Sequence, residues 1–239
     1  MSLLSVENLV ARHGLLTAVH DFSCTIEPGE VVAIVGANGA GKTTLFRAIA
    51  GVHTAAGGTI RLAGADITAL PPHRRVAAGI AMVPEGRRLF SEMTVDENLR
   101  IACENGRRGS WTLATVLEAL PQLQPLLRVP AGGLSGGQRQ AVAIGRALMS
   151  NPALLLLDEV SLGLSPIAVA GLYESLAALK AGGTTTMVVV EQDLDRVLGF
   201  ADRVICMLEG RAVLEGRASE LSRSQIASAY FGLATGQVH

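Results

Sequence analysis

The chain has 239 residues, enough for one large domain or a core with a subdomain, in which about 70–75% of the unfolded surface can be buried. Apolar residues make up 49% of it, yet no run approaches the roughly 18 needed for a membrane helix, so a soluble chain is expected. The formal net charge is −1, with both signs mixed along the chain, which argues against non-specific nucleic-acid binding. The N-terminus carries no basic-then-apolar signal, Glu7 and Asn8 interrupting its first apolar residues, and a cytosolic location is expected. Cys24, Cys103 and Cys206 are widely spaced and odd in number, as reduced core thiols would be, in place of a disulfide frame or a zinc site.

In chain order, apolar alternation over Leu3–Val10 and Val19–Ile26 predicts a small antiparallel sheet, and Glu27-Pro28-Gly29-Glu30 marks a turn. The apolar, β-branched run Val31–Val35 predicts a buried strand, and from Thr43 the spacing of Leu45, Phe46 and Ile49 predicts a helix. Gly57-Gly58 and Gly64-Ala65-Asp66 bracket a further short strand. Pro71-Pro72 precedes a short helix, and Ile80–Val83 reads as a buried strand ended by Pro84. From about Phe90 to Val129 strand signal is scarce. Val95, Leu99, Leu113, Val116, Leu117 and Leu120 recur at helical spacing, with Thr94 or Asp96 as a start and Asn105–Ser110 as a break. A strongly helical run extends from Leu134 to Met149. Ala153–Leu157 has no polar face, as befits a strand covered on both sides, and Asp158-Glu159 stands at its end. A helix over Ile167–Leu179, a strand over Thr185–Val190 ending in Glu191-Gln192-Asp193, then another helix and a strand over Val204–Leu208 complete the alternation. Strands interleaved with helices predict a mainly parallel sheet with ligands at the strands' C-terminal ends.

The stretch Gly36-Ala37-Asn38-Gly39-Ala40-Gly41-Lys42-Thr43-Thr44 makes the narrowest chemical demand. Glycines at 36, 39 and 41 let backbone N–H groups turn inward around an anion, and the following helix N-terminus, with a partial charge of about +0.5, favours phosphate. Lys42 supplies a full charge for the β- and γ-phosphates of a nucleotide, and the Thr43 hydroxyl is suited to ligate the accompanying Mg²⁺. Asp158 can hold that Mg²⁺ through water, and Glu159 can orient or deprotonate the attacking water.

Leu134-Ser135-Gly136-Gly137-Gln138, lying between the cradle and the Asp-Glu strand, completes a set that resembles the ABC-type ATPases over nearly the full length. The resemblance implies an α/β fold: a P-loop NTPase (ABC-type) core with a mainly parallel sheet, an N-terminal antiparallel β subdomain and an inserted helical subdomain. Residues 1–88 and 150–239 would form the nucleotide-binding core and 89–149 the helical subdomain. It also implies ATP and Mg²⁺ as ligands, with the cradle (Gly36, Asn38, Gly39, Gly41, Lys42, Thr43, Thr44) corresponding to the Walker A loop, and a second ATPase subunit, the same chain or a related one. In such a sandwich Ser135, Gly136 and Gly137 face the γ-phosphate of an ATP bound to the opposite subunit.

Pro84-Glu85-Gly86-Arg87-Arg88-Leu89-Phe90, Ser161–Pro166, Val190-Glu191-Gln192 and Ala229-Tyr230-Phe231-Gly232 look like the ATP-binding subunits of branched-chain or hydrophobic amino-acid importers. That resemblance implies a peripheral protein at the cytoplasmic face of the cell membrane. Its partners would be membrane-spanning permease subunits and, indirectly, a substrate-binding protein, with no nucleic acid. The alternatives are the ATPase of a urea, amide or aromatic-acid importer, or a soluble ABC regulator. The sequence departs from the general pattern at Glu85, where a glutamine is usual in the loop that senses Mg²⁺, and at Gln192, which replaces a switch histidine. Gln192 can hydrogen-bond a γ-phosphate but cannot carry positive charge, and Glu85 still offers oxygen to Mg²⁺ or its waters. Val160 stands where proline is frequent and Leu164 where aspartate is. His13 falls where the family stacks an aromatic ring on adenine, or it is a surface histidine. Arg87, Arg88, Arg107 and Arg108 are expected to be exposed, either as a contact for membrane partners or as a solvated face.

Overall fold

The structure, a computed structural model, describes residues 2–183 and 185–231, with the side chains of His13 and Phe231 outside the described residues. The described parts of Met1–Pro71 and Met187–His239 form one compact unit, and those of Pro72–Thr186 a second.

In the first unit β1 (Leu4–His13) and β2 (Leu16–Ile26) pair antiparallel, followed by β3 (Val31–Val35), α1 (Lys42–Ile49), β4 (Ala55–Leu62) and the two-residue β5 (Ala65–Asp66). The antiparallel sheet runs β2-β1-β4-β5. Along β2, Phe22, Cys24 and Ile26 are buried while their neighbours are exposed, the period of two that fixes strand register. The pairing shifts register between Val6 and Leu9, where Asn8 turns left-handed (φ 50°) and its backbone N–H donates to Ser23 Oγ at 2.8 Å. An asparagine tolerates that conformation better than a β-branched residue would.

The second unit opens with α2 (Pro72–Ala78) and β6 (Ile80–Val83). A mainly helical stretch follows: α3 (Val95–Arg100), a 3₁₀ turn over Ile101–Cys103, α4 (Leu113–Ala119), 3₁₀ turns over Pro121–Leu126 and Ala131–Gly133, and α5 (Gly136–Leu148). Thr94 starts α3 through a capping box in which Glu97 answers its backbone N–H, so two of the orphan donors of the helix end are satisfied. The prolines keep Pro121–Leu126 in short 3₁₀ geometry, because Pro125 has no N–H to continue an α-helix. β7 (Leu154–Asp158) lies parallel to β6, Leu154 opposite Ile80, and α6 (Pro166–Ala181) begins with Ser165 as its cap and Pro166 in its first turn.

The chain returns to the first unit through β8 (Thr186–Val190), α7 (Leu194–Phe200), β9 (Arg203–Leu208), β10 (Arg211–Arg217) and α8 (Arg223–Phe231). Here β3 lies between β8 and β9, parallel to both, with Val31 opposite Met187 and Val32 opposite Arg203. All five β3 residues are buried, which explains a strand without a polar face.

Three expectations need correction. β10 and α8 extend the chain beyond the last predicted strand: β10 is an exposed antiparallel edge to β9, and half-exposed edge strands carry the weak apolar signal seen there. Cys103 is exposed, since it ends a one-turn 3₁₀ segment; Cys24 and Cys206 are the buried thiols. Arg87 is only partly exposed and is hydrogen-bonded to α5. The predicted segment Ala229-Tyr230-Phe231-Gly232 ends outside the described residues, and of its members Tyr230 is half-buried on α8.

Candidate active site

In the first unit the chain leaves β3 at Gly36, crosses the loop and enters α1 at Lys42. Gly41 caps this helix in the left-handed region (φ 95°), and a Cβ there would stand 2.2 Å from the Ala18 carbonyl oxygen, so no other residue can make the turn. No side chain caps the helix and its first turn holds no acidic residue. The positive end of α1 is therefore not neutralised by a carboxylate of its own first turn. Lys42 is 4% exposed, and its ammonium donates to the carbonyl oxygens of Gly36 at 2.7 Å and Ala37 at 3.0 Å. Thr43 and Thr44 follow, half-buried, and Asn38 and Gly39 are exposed on the loop. An ammonium, hydroxyls and a helix N-terminus form a donor set that suits a polyphosphate.

Cys206, buried nearby on β9, feels the charge of Lys42. Burial outweighs that pull and pushes its thiol up to about 11, so it stays neutral and does not compete for the lysine. Gln192, exposed after β8, donates from Nε2 to Asn38 Oδ1 at 3.2 Å, and the Glu191 carboxylate accepts from the Gln192 backbone N–H at 2.8 Å. The Gln192 amide thus holds the loop between β3 and α1 directly. His13 ends β1, and its side chain lies outside the described residues.

In the second unit Asp158 closes β7 at 1% exposure. Glu159 follows in the left-handed region (φ 47°), uncommon for a glutamate and costing about 1–3 kcal/mol, a strain that tends to sit at functional positions. The Glu159 carbonyl accepts from the Leu162 N–H at 3.1 Å, which fixes the turn toward α6. Val160 is buried, so the residue standing in place of proline is anchored by packing.

Glu159 shares a cavity of about 150 Å³ with Pro84, Glu85, Gly86, Arg87, Gln140 and Leu162. Gly86, Arg87 and Arg88 are all left-handed, and α5 holds this loop. Arg146 donates to the Arg88 and Arg87 carbonyls at 2.9 and 3.1 Å, and Arg87 Nε donates to Gln140 Oε1 at 3.1 Å. Just beyond, the fully buried Asn98 amide donates to the Phe90, Met93 and Thr94 carbonyls and accepts from the Phe90 N–H. Arg146, Gln140 and Asn98 were not legible as site residues, because nothing in a helical run marks which polar side chain turns inward.

Ser135 caps α5 and accepts from the Gln138 N–H at 3.3 Å, while Gln138 Oε1 accepts from the Ser135 N–H at 2.8 Å. A Cβ on Gly137 would stand 2.9 Å from that of Ala168 on α6, so this glycine is also needed for helix packing. The structure groups Asn38, Lys42 and Gln192 in one unit and Glu85, Glu159 and the α5 residues in the other.

The glycine-rich loop into α1, the Asp158-Glu159 pair at the end of β7 and the capped Ser-Gly-Gly helix agree with the ABC transporter family, whose model matches residues 19–161, and the chain belongs to it. Among characterised relatives it is 40% identical over 233 residues to the high-affinity branched-chain amino acid transport ATP-binding protein BraG of Pseudomonas aeruginosa, covering 96% of this chain and 100% of that one. It is also 31% identical to BraF of the same organism, covering 96% and 98%. Of solved structures, an ATP-binding cassette of an ABC transporter in its ADP conformation superposes with a TM-score of 0.84 at 33% identity, covering 97% of this chain and 99% of that one. Among the described residues no helix is long and apolar enough to cross a membrane.

Proposed function

We propose that the chain is the ATP-binding and ATP-hydrolysing subunit of an ABC importer for branched-chain amino acids. The observation that carries the nucleotide part is the buried Lys42 ammonium at the N-terminus of α1, which no side chain caps. The full-length similarity to BraG supports the transport part, and the relatives' names favour it over a urea, amide or aromatic-acid importer and over a soluble regulator.

In this reading ATP lies with its phosphates on Gly36, Asn38, Gly39, Gly41, Lys42, Thr43 and Thr44, and with its adenine against His13. Thr43, Asp158 and Glu85 would hold Mg²⁺, which when bound neutralises charge on the β- and γ-oxygens. Glu159 accepts the proton of the attacking water, and Gln192 steadies the γ-phosphate by its amide. Ser135, Gly136 and Gly137 close the site of a second ATPase subunit. That BraG and BraF are two distinct chains of one organism supports a related chain as the second subunit. Residues 89–149 would act as the helical subdomain carrying that signature. The remaining partners are membrane-spanning permeases and, through them, a substrate-binding protein, with the chain held peripherally at the cytoplasmic face.

Isolation of the tagged chain from detergent-solubilised membranes, followed by mass spectrometry, tests the partnership. Two polytopic membrane proteins are expected with it; recovery only with ribosomes or DNA would contradict the transport reading.

A further inference from the structure

Gln140 is a buried polar residue of α5. It projects from α5, is 3% exposed, and lines the cavity it shares with Glu159. Its two amide ends have different fates. The oxygen accepts from Arg87 Nε at 3.1 Å, and since that nitrogen can only donate, the orientation of the amide is fixed by chemistry. The nitrogen is buried and has no hydrogen-bond partner among the described residues. An unpaired buried donor costs about 1–3 kcal/mol, so such a group is normally satisfied by something the surroundings supply. The acceptors lining this cavity are the carboxylates of Glu85 and Glu159 and a few backbone carbonyls, and its about 150 Å³ has room for water, whose share of liquid volume is about 30 Å³ per molecule.

We propose that Gln140 is a positioning residue for Glu159: its Nε2 donates, through a water held in the cavity, to the Glu159 carboxylate and sets the direction in which that carboxylate faces its substrate water. Arg87 locks the amide from the other side, which gives the strained Gly86–Arg88 loop a reason to be pinned to α5 by Arg146. A donor carried by a rigid helix holds a carboxylate in place more closely than one carried by a loop. This inference rests on the assignment of Glu159 proposed above.

Gln140→Glu separates the two halves of the amide. It keeps size and the Arg87 contact but replaces the donor with an acceptor. The expected result on the full chain is a kcat for ATP hydrolysis about 10-fold or more below wild type, with unchanged KM, unchanged ATP affinity by equilibrium dialysis and an unchanged melting temperature. If Gln140 serves only as a structural partner for Arg87, the variant keeps wild-type kcat, and that result overturns the inference alone. Arg87→Met, which unlocks the amide, is the second variant should the first not fold: a smaller loss of kcat at constant KM is expected, and wild-type kcat overturns the proposal. A wild-type chain that binds ATP but never hydrolyses it, alone or with its membrane partners, removes the function reading and this inference with it.

Discussion

Glu159→Gln is expected to leave ATP binding intact and to lower turnover at least ~10²-fold, the scale of loss of one group acting on the reacting atoms. Glutamine preserves the volume and hydrogen-bonding reach of the side chain at a half-buried position, so the turn from β7 to α6, held by the Leu162 N–H on the Glu159 carbonyl, stays as it is. What is lost is the ability to take a proton from water. Phosphate release measured beside equilibrium nucleotide binding separates the two. Turnover at the wild-type rate would remove Glu159 from the chemistry.

Lys42→Ala is expected to act on the other quantity. Its ammonium is a buried charge that holds the Gly36 and Ala37 carbonyls. In the proposed complex it also meets phosphate oxygens, and a hydrogen bond to a charged group is worth about 1.5–3 kcal/mol. ATP affinity should therefore fall about 10- to 100-fold, with hydrolysis lost in parallel. Equilibrium dialysis against labelled ATP checks this. Wild-type affinity in Lys42→Ala would mean that the loop is a glycine-rich turn with no nucleotide to hold.

The alternation of elements was legible because its signals are local and strong. Val31–Val35 and Leu154–Leu157 are wholly apolar since they are buried on both faces, and Thr94 and Ser135 announce their helices by capping boxes. The edge strand β10 lacked such a signal because Arg211, Ala212 and Val213 face solvent. Cys103 misled because burial depends on where a 3₁₀ turn ends, which composition does not encode. The glycine-rich loop before α1 and the Asp158-Glu159 strand end could be read as local patterns. Their supports could not: the inward amide of Gln140 and the Arg146 clamp arise from contacts between segments far apart in sequence, and no glycine or asparagine announces the left-handed turn at Glu159. Gln192 shows the same limit, since its bond to Asn38 spans 154 positions.

That ATP turnover by this chain drives amino-acid import is checked by reconstituting the purified membrane complex into vesicles and measuring uptake of labelled leucine with ATP supplied on the side of this chain. Uptake that requires ATP and disappears with Glu159→Gln is the expected result. Leucine uptake that proceeds equally with Glu159→Gln, or ATP hydrolysis with no transport of any branched-chain amino acid, would contradict it.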